Sequence, residues 1–303
     1  MALTVSESFS VQSPNGNSLA VFIEAQSGEV KLKDVNGKVE ALTDYISGSP
    51  YRYNVTEPTA IEPIFGNNNA IGNLSVIGGG SSNSAYGNSS VIAGGLANVT
   101  DCSFSSIGGG FNNNAFGTYS IIGGGFQNKA CFGYATVSGG FCNIACLSAT
   151  VGGGIRNNAV GTQSAVVGGN CNTASNTRSF VGGGLCNSAS GANSVINGGI
   201  NNTSSNCYAS IGGGLYNSAS GASSVISGGF CNIAASCFSA IVGGCCNNTS
   251  TFIKTVIAGS NITADRACTL FANNLSLKNI PTSAAGLPSG SVWSSAGVLC
   301  IVP

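Results

Sequence analysis

A repeat of fifteen residues is the feature of this sequence that most restricts its fold. The phrase SIIGGGFQN at 120–128 returns with small changes as SVIGGGSSN at 75–83, SSIGGGFNN at 105–113 and ASIGGGLYN at 209–217. An asparagine, separated by two residues from each Gly-Gly pair, marks the repeat twelve times, spaced by fifteen throughout except for one step of fourteen. Self-similarity at a fixed period is the signature of a repeat architecture. These residues are Asn83, Asn98, Asn113, Asn128, Asn143, Asn157, Asn172, Asn187, Asn202, Asn217, Asn232 and Asn247.

A second column of the repeat, six residues before each asparagine, contains only Ile or Val, from Ile77 to Ile241. Two residues after the asparagine stands Ala, Thr or Ser, from Ala85 to Thr249. The Gly, Ser and Asn content by itself would suit a disordered low-complexity segment. Such a segment does not keep one column strictly β-branched over twelve periods, whereas a packed interior does. A helical bundle is excluded because each Gly-Gly pair would destabilise a helix by about 2 kcal/mol.

The repeat length selects one all-β architecture. Fifteen residues are too few for a strand, a turn and a helix, but they suffice for one coil of a narrow parallel β-solenoid with two short strands and two bends. Stacked coils place equivalent residues about 4.8 Å apart, so about twelve coils form a rod of roughly 58 Å. We expect Ile or Val to fill the lumen, Gly-Gly to turn a corner, and the asparagines to form a ladder of amide hydrogen bonds.

Large apolar residues occupy a further column, immediately after the Gly-Gly corner and two residues before each asparagine. A coil this small cannot hold them beside Ile, so we expect this stripe to point outward. Side chains of about 150–250 Å² each would form a patch larger than the few hundred Å² usual for monomers, which predicts an oligomer that closes over it. The stripe comprises Leu96, Phe111, Phe126, Phe141, Ile155, Leu185, Ile200, Leu215 and Phe230.

The charged residues divide the chain into modules. Eight of the ten acidic residues lie before position 66, and only Asp101 and Asp265 follow. Within 1–65, EVKLKDVNGKVEAL alternates apolar and polar residues around Asn36-Gly37, which predicts a β-hairpin with a two-residue turn. We expect a β module for attachment and capping at 1–65, the solenoid at 66–273 and a β-hairpin cap at 274–303, because open solenoid ends need covering.

Several kinds of chemistry lack the residues they need. The chain has no His, which excludes Ser-His-Asp triads and His-based metal sites. Asp101 and Asp265 would lie eleven coils apart, on the order of 50 Å, far beyond the carboxylate separation of glycosidases. Charged residues make up only 7% and balance to zero, unlike those of a protein that neutralises nucleic-acid phosphates. We expect no enzyme activity, cofactor, metal site or nucleic-acid partner.

The thirteen cysteines are expected to be mostly free thiols. The opening MALTVSESFS lacks the basic and apolar regions of a secretory signal, and no run of about 18 apolar residues predicts a membrane span. Cys171 and Cys186 share a column in adjacent coils, as do Cys231 and Cys246. In-register strands point their Cβ atoms in parallel rather than toward each other, which disfavours disulfides between them.

Aromatic residues six positions after the asparagine are candidates for surface contact. Exposed rings suit the faces of sugars, and the alternative is that they pack between neighbouring chains or over the Gly rows. These candidates are Phe104, Tyr119, Tyr134, Tyr208 and Phe238.

The pattern S-x-[VI]-x-G-G-x-x-N-x-A-x-G, as in SIIGGGFQNKACFG and SVISGGFCNIAASCF, resembles the head repeats of trimeric autotransporter adhesins of the YadA type. The resemblance covers about 66–273 and implies a left-handed parallel β-roll that assembles as a homotrimer with its chains side by side. It implies no ligand-binding residue. Those adhesins also have a signal peptide, a coiled-coil stalk and a C-terminal membrane barrel, and we expect none of the three here.

The segments GEVKLKDVNGKVEALTDYI and GLPSGSVWSSAGVLCIVP are similar to the termini of bacteriophage tail-fibre and related virion proteins. This resemblance implies a structural virion fibre protein, made in the host cytoplasm, that presents a rigid trimeric β-solenoid for attachment to the host surface. Its expected partners are copies of itself, other virion proteins through the N-terminal module, and a host cell-surface glycan or protein.

Three other functions stay open at this point. A capsid or tail decoration protein would have the same rod without a receptor. A head fragment of a bacterial surface adhesin would be extracellular, at the cell surface. An ice-binding solenoid would need a flat Thr array, whereas Thr100, Thr118, Thr136 and Thr150 change column.

Overall fold

The computed structural model describes residues 51–54, 56, 59–276, 280–295 and 298–302, together with the backbone of four strands before residue 50. The expected parallel β-solenoid is confirmed, with about 14 turns at a spacing of about 15 residues. The expected number of about twelve coils was too low, because coils without a Gly-Gly pair continue the stack at both ends. At about 4.8 Å per coil the rod is roughly 67 Å long. No helix capable of crossing a bilayer occurs among the described residues.

One face of the solenoid is a sheet of 16 strands, here called the long sheet. Its strands pair one coil apart and in register, so that Ile92 lies opposite both Ile77 and Ile107. All are parallel except the outermost strand, Tyr51–Tyr53. The strands are Tyr51–Tyr53, Ile61–Pro63, Val76–Ile77, Val91–Ile92, Ser106–Ile107, Ile121–Ile122, Thr136–Val137, Thr150–Val151, Ala165–Val166, Phe180–Val181, Val195–Ile196, Ser210–Ile211, Val225–Ile226, Ala240–Gly243, Val256–Ala258 and Leu270–Ala272.

A second face is a parallel sheet of 12 strands, here called the short sheet. A third face has no regular strand, and its coils are joined by single parallel bridges that run from Ser81 to Cys245. The coil is therefore three-sided. The short-sheet strands are Asn69–Ala70, Ser84–Ala85, Val99–Thr100, Asn114–Ala115, Lys129–Ala130, Ile144–Ala145, Asn158–Ala159, Thr173–Ala174, Ser188–Ala189, Thr203–Ser204, Ser218–Ala219 and Ile233–Ala234.

Each coil sends one residue of each sheet into the lumen. The Ile or Val of the long sheet, such as Ile122, and the small residue of the short sheet, such as Ala130, are both 0% exposed. The corner between the two sheets adds a buried Ser or Ala, such as Ser120. Burial of each Ile or Val stabilises the coil by about 1.5–3 kcal/mol, which explains why this column tolerates no polar residue between Ile77 and Ile257.

The asparagine column forms the ladder that the repeat predicts, with a backbone component in addition. Asn128 Nδ2 donates to the carbonyl oxygens of Gly124 and Gly140, each 2.9 Å away, and to Asn113 Oδ1 at 3.1 Å. Its own Oδ1 accepts the backbone N–H of Asn143 at 2.9 Å. Every polar atom of this fully buried side chain is thus bonded. Asn68, which no Gly-Gly pair precedes, begins the ladder by accepting from Asn83.

Two left-handed bends close each coil. After the Gly corner, Gly125 has φ +93°, and a Cβ there would collide with the Gly140 carbonyl oxygen. The residue before each ladder asparagine, such as Gln127 at φ 54°, is also left-handed. So is the residue two positions before each long-sheet strand from Val76–Ile77 onward, such as Tyr134 at φ 61°. We call the residues two positions before the long-sheet strands, such as Tyr134, the corner column.

The first coil ends on a buried carboxylate. Glu62 occupies the place that Ile or Val takes in later coils, and it is 2% exposed. Its Oε2 accepts from the backbone N–H of Ala70 at 2.7 Å and from Asn54 Nδ2 at 3.1 Å, while Oε1 pairs with Arg52 at 3.1 Å. Because these donors satisfy the carboxylate, the lumen can end there without an unpaired charge.

Smaller β elements precede and follow the solenoid in the chain. Ser10–Gln12, Ser18–Ile23, Val30–Lys33 and Val39–Ala41 form an antiparallel four-stranded sheet, and Val292–Ser295 pairs antiparallel with Val298–Ile301. Lys33 pairs with Val39, so the two strands of the expected N-terminal hairpin are present. The Asn36-Gly37 turn lies outside the described residues. Long-sheet pairing continues past the expected boundary at 65, to Tyr51–Tyr53.

Candidate functional site

The apolar stripe lies on the surface of the third face. Eight of its nine residues are between 36% and 46% exposed, and Leu215 is half-buried. Its members are bridged directly from coil to coil, with Asn170 as the one polar interruption between Leu96 and Phe230. The rings of Phe111, Phe126 and Phe141 stack with centroids 5.1 Å apart at each step. An apolar ridge, broken only at Asn170 between Leu96 and Phe230, therefore runs along one side of the rod.

Across the Gly corner from the stripe, the outer column of the long sheet is mostly apolar, with Ser or Thr at positions 106, 136, 150 and 210. Val91, Ile121 and Val225 in this column are 40%, 49% and 40% exposed. Most positions between the two columns are glycines, whose lack of a side chain lets a neighbouring molecule approach closely. The apolar members of the long-sheet column therefore extend the apolar surface of the stripe across the Gly corner.

An open groove of about 390 Å³ borders the stripe on its other side. It runs between the left-handed residues that precede the ladder and the outer residues of the short sheet. Its polar lining includes one cation, Lys129. The lining residues are Asn112, Asn114, Gln127, Lys129, Cys142 and Ile144.

The five aromatic candidates all belong to the corner column, and all are exposed: Phe104 50%, Tyr119 46%, Tyr134 65%, Tyr208 64% and Phe238 63%. The structure brings the first three together as a stack along the rod. The ring centroids of Phe104 and Tyr119 are 4.9 Å apart, and those of Tyr119 and Tyr134 are 5.2 Å apart, with interplanar angles of 5° and 12°. Tyr208 and Phe238 stand apart from this stack, with Ser223 between them in the column.

The backbone of the corner column is unfavourable for aromatic residues. Phe104, Tyr119, Tyr134, Tyr208 and Phe238 have φ between 56° and 61°. A residue with a Cβ is disfavoured there by about 1–2 kcal/mol, and Asn or Gly is preferred. Stacking between the rings of Phe104, Tyr119 and Tyr134 stabilises them by about 0.5–1.5 kcal/mol and so offsets part of this backbone penalty. Since none of the five rings is buried, coil stability does not explain why Phe or Tyr stands at these positions.

Residues that could carry catalysis remain dispersed. Asp101 is exposed on the corner, and Asp265 forms an exposed ion pair with Arg266 at 2.8 Å, which lowers the pKa of the Asp265 carboxyl. The part of the chain that the structure describes contains no group of three or more His, Cys, Asp or Glu that could hold a metal ion.

The cysteines from Cys102 to Cys268 are free thiols, including the Cys171/Cys186 and Cys231/Cys246 neighbours. Cys146 differs from the others because it is buried. Burial, and then a side-chain hydrogen bond with Cys131 of the adjacent coil that favours the protonated form, raises the pKa of the Cys146 thiol to about 12.

No protein-family model matches the chain, and a search of curated proteins finds no match either. The resemblance to adhesin head repeats and to virion fibre termini therefore rests on the quoted residues and stays a prediction.

Proposed function

We propose that this protein is a structural virion fibre protein, such as a phage tail fibre or similar appendage. Three chains pack side by side along the stripe, and the resulting rod presents the corner column to the host cell surface. The N-terminal module attaches the rod to other virion proteins. The observation that carries the proposal is an apolar ridge, with Asn170 as its one polar member, on a rod whose core is already complete without it.

The size of the ridge supports self-association. Nine side chains of this kind at about 40% exposure present on the order of 600 Å², at the upper limit of the largest patch on typical monomers. The apolar members of the long-sheet column across the Gly corner, such as Ile121, enlarge this surface further. An in-register neighbour with the same repeat of about 4.8 Å matches it coil for coil, which an unrelated globular partner does not.

The position of the aromatic residues supports a contact surface separate from the chain interface. Along the coil, the corner column is divided from the stripe by the short sheet in one direction and by the long sheet in the other. Burial of the stripe between chains therefore leaves the rings of Phe104, Tyr119 and Tyr134 facing outward. Aromatic rings on a rigid support suit sugar and protein surfaces alike.

The first test is the absolute mass of the full-length protein by light scattering on a size-exclusion column, with and without reductant. The expected result is about 90 kDa in both conditions, three times the 29.9 kDa chain. A stable monomer near 30 kDa would contradict assembly through the stripe.

The second test separates attachment from decoration. Fluorescently labelled protein is added to cells of a host panel, and binding is compared with that of a rod in which all five corner aromatics are replaced by Ser. The expected result is binding that the Ser-substituted rod loses. Protein that stays on intact particles but binds no cell would favour a decoration protein, and protein found anchored on bacterial cells that carry no phage would favour an adhesin.

A further inference from the structure

We propose that the one shortened coil, between Asn143 and Asn157, forms a binding site for an acidic saccharide, held between Tyr134 and Arg178. The inference rests on the proposed attachment role and specifies the ligand of that surface. It depends on neither the stoichiometry of the rod nor its position on a particle.

The missing residue of this coil falls in the corner alone. Ala145 still pairs with Ala130 and Ala159 on the short sheet, and Thr150 still pairs with Thr136 and Ala165 on the long sheet. Both sheets therefore keep their register through the shortened coil. The corner between them is one residue shorter than in its neighbours. Beside the exposed Leu147, the corner column carries the short side chain of Ser148 between Tyr134 and Gln163, and we call this gap in the ridge the notch.

An aromatic face forms one wall of the notch. The stack of Phe104, Tyr119 and Tyr134 ends here because the next member of the corner column is Ser148. Tyr134 is 65% exposed, as much as the solitary Tyr208, although Tyr119 covers one of its faces. Its other face is therefore open toward the notch. Phe132, 55% exposed in the same coil, widens this apolar wall.

Gln163 forms the opposite wall, two coils from Tyr134 in the same column. Two coils correspond to roughly 9.6 Å. Van der Waals contacts of about 3.5–4.0 Å on each side take up about 7–8 Å of this span. The remainder matches the thickness of one puckered sugar ring, whose C–H face can pack on Tyr134 while its hydroxyls bond to the Gln163 amide.

Arg178, the next residue of the column, supplies the charge. Its Nε donates to Gln163 Oε1 at 3.4 Å, and the guanidinium forms no ion pair with any carboxylate among the described residues. Between Asp101 and Asp265 the sequence contains four cations and no acidic residue. A guanidinium recognises a carboxylate through two parallel hydrogen bonds, so the site favours a uronic acid over a neutral sugar.

The experiment titrates the full-length protein with trigalacturonic acid and, in parallel, with its methyl ester, followed by saturation-transfer NMR. The two ligands share ring geometry and differ in charge. The expected result is binding of the acid at least tenfold tighter than of the ester. Arg178→Gln should abolish the difference in affinity between acid and ester. Tyr134→Ala should lower the affinity for both ligands at least tenfold.

Two further variants test whether the saccharide binds at the notch itself or to exposed aromatic rings in general. Ser148→Tyr extends the stack over the open face of Tyr134 in a backbone conformation that Tyr134 itself already adopts, so it should abolish binding without unfolding the coil. Tyr86→Ala removes an exposed ring outside the corner column and should leave both affinities unchanged.

Absence of binding at the solubility limit, equal affinity for acid and ester, or insensitivity to Ser148→Tyr would each overturn the proposal. These results leave the mass and the cell binding of the rod untouched. Failure of the saccharide site is therefore distinguishable from failure of the proposed fibre function.

Discussion

The side chain of Glu62 accepts a 2.7 Å hydrogen bond from the backbone N–H of Ala70, across the mouth of the solenoid. This carboxylate takes the place of the Ile or Val that fills the coils from Ile77 to Ile257. An apolar residue at the first coil would leave the N–H of Ala70 and the amide of Asn54 without this acceptor. The lumen therefore needs a polar end even though its interior is apolar.

Glu62→Ala should destabilise the first coils by about 2–4 kcal/mol, because two buried donors lose their acceptor. The measurement is hydrogen exchange of the peptide around Ala70, with thermal unfolding followed by circular dichroism. Glu62→Gln keeps an acceptor oxygen and should lose less. Replacement of the exposed Asp265 by Ala serves as the control and should change nothing measurable. Equal effects of Glu62→Ala and Asp265→Ala would contradict an end-capping role.

Asn128→Ala should lower the free energy of unfolding by more than a typical surface substitution does. The change leaves the buried N–H of Asn143 without its acceptor, at about 1–3 kcal/mol, and it also removes the side-chain donor from the part-buried carbonyls of Gly124 and Gly140. Thermal unfolding measures the loss. Asn114→Ala, one coil away on the outer face of the short sheet, is the matched control and should be nearly neutral. Equal thermal stability of the two variants would contradict a stabilising role of the buried asparagine ladder.

Two glycines of the Gly corner, three repeats apart, should differ sharply in their tolerance of Ala. At Gly125 a Cβ collides with the Gly140 carbonyl oxygen and φ is +93°, so Gly125→Ala should abolish the folded rod or greatly reduce its yield. At Gly168 a Cβ has no atom within 4 Å, so Gly168→Ala should be tolerated. Soluble yield and circular dichroism of the two variants decide the question. If both variants fold, the predicted collision between a Cβ at Gly125 and the Gly140 carbonyl oxygen would be wrong.

Strict periodicity explains which parts of this fold were predictable from the sequence. The lumen column and the asparagine ladder repeat without exception, so the solenoid and its inward residues follow from spacing. The ends were missed because Glu62 and Asn68 lack the preceding Gly-Gly pair that marks the other coils. The left-handed bends at Gln127 and Tyr134 were missed for a different reason. Neither residue type favours such φ values, and the coil imposes them against local preference.

The candidate surface was only partly predictable. An outward stripe follows from the small volume of the coil, and the corner aromatics follow from their shared column. The stack of Phe104, Tyr119 and Tyr134, and its end at the shortened coil, depend on which neighbours meet in space. The single fourteen-residue step was visible in the sequence, but its location in the corner required the register of both sheets.

Cys146 should resist alkylation in the native protein. Its pKa of about 12, raised by burial and by Cys131, leaves on the order of one thiolate in ten thousand at pH 8. Iodoacetamide treatment followed by peptide mapping should modify the exposed Cys207 while Cys146 stays unmodified, and both should react after denaturation. Because the raised pKa keeps the thiol protonated below pH 12, its modification should rise steadily as the pH is raised above 8. Equal labelling of both residues at pH 8 in the native rod would contradict this burial.

Phe126→Glu should separate the chains of the proposed trimer without unfolding them. Phe126 lies at the centre of the Phe111 and Phe141 stack, so a carboxylate there would meet its own copies across an apolar interface. An unpaired charge in such a place is strongly unfavourable, and the mass by light scattering should fall from about 90 kDa to about 30 kDa. Tyr119→Glu places the same charge on the corner column in the preceding coil and should leave the mass unchanged. Circular dichroism of both variants should retain the β spectrum, because neither side chain contributes to the lumen. If the two variants kept the same mass, the stripe would not be the surface through which the chains associate.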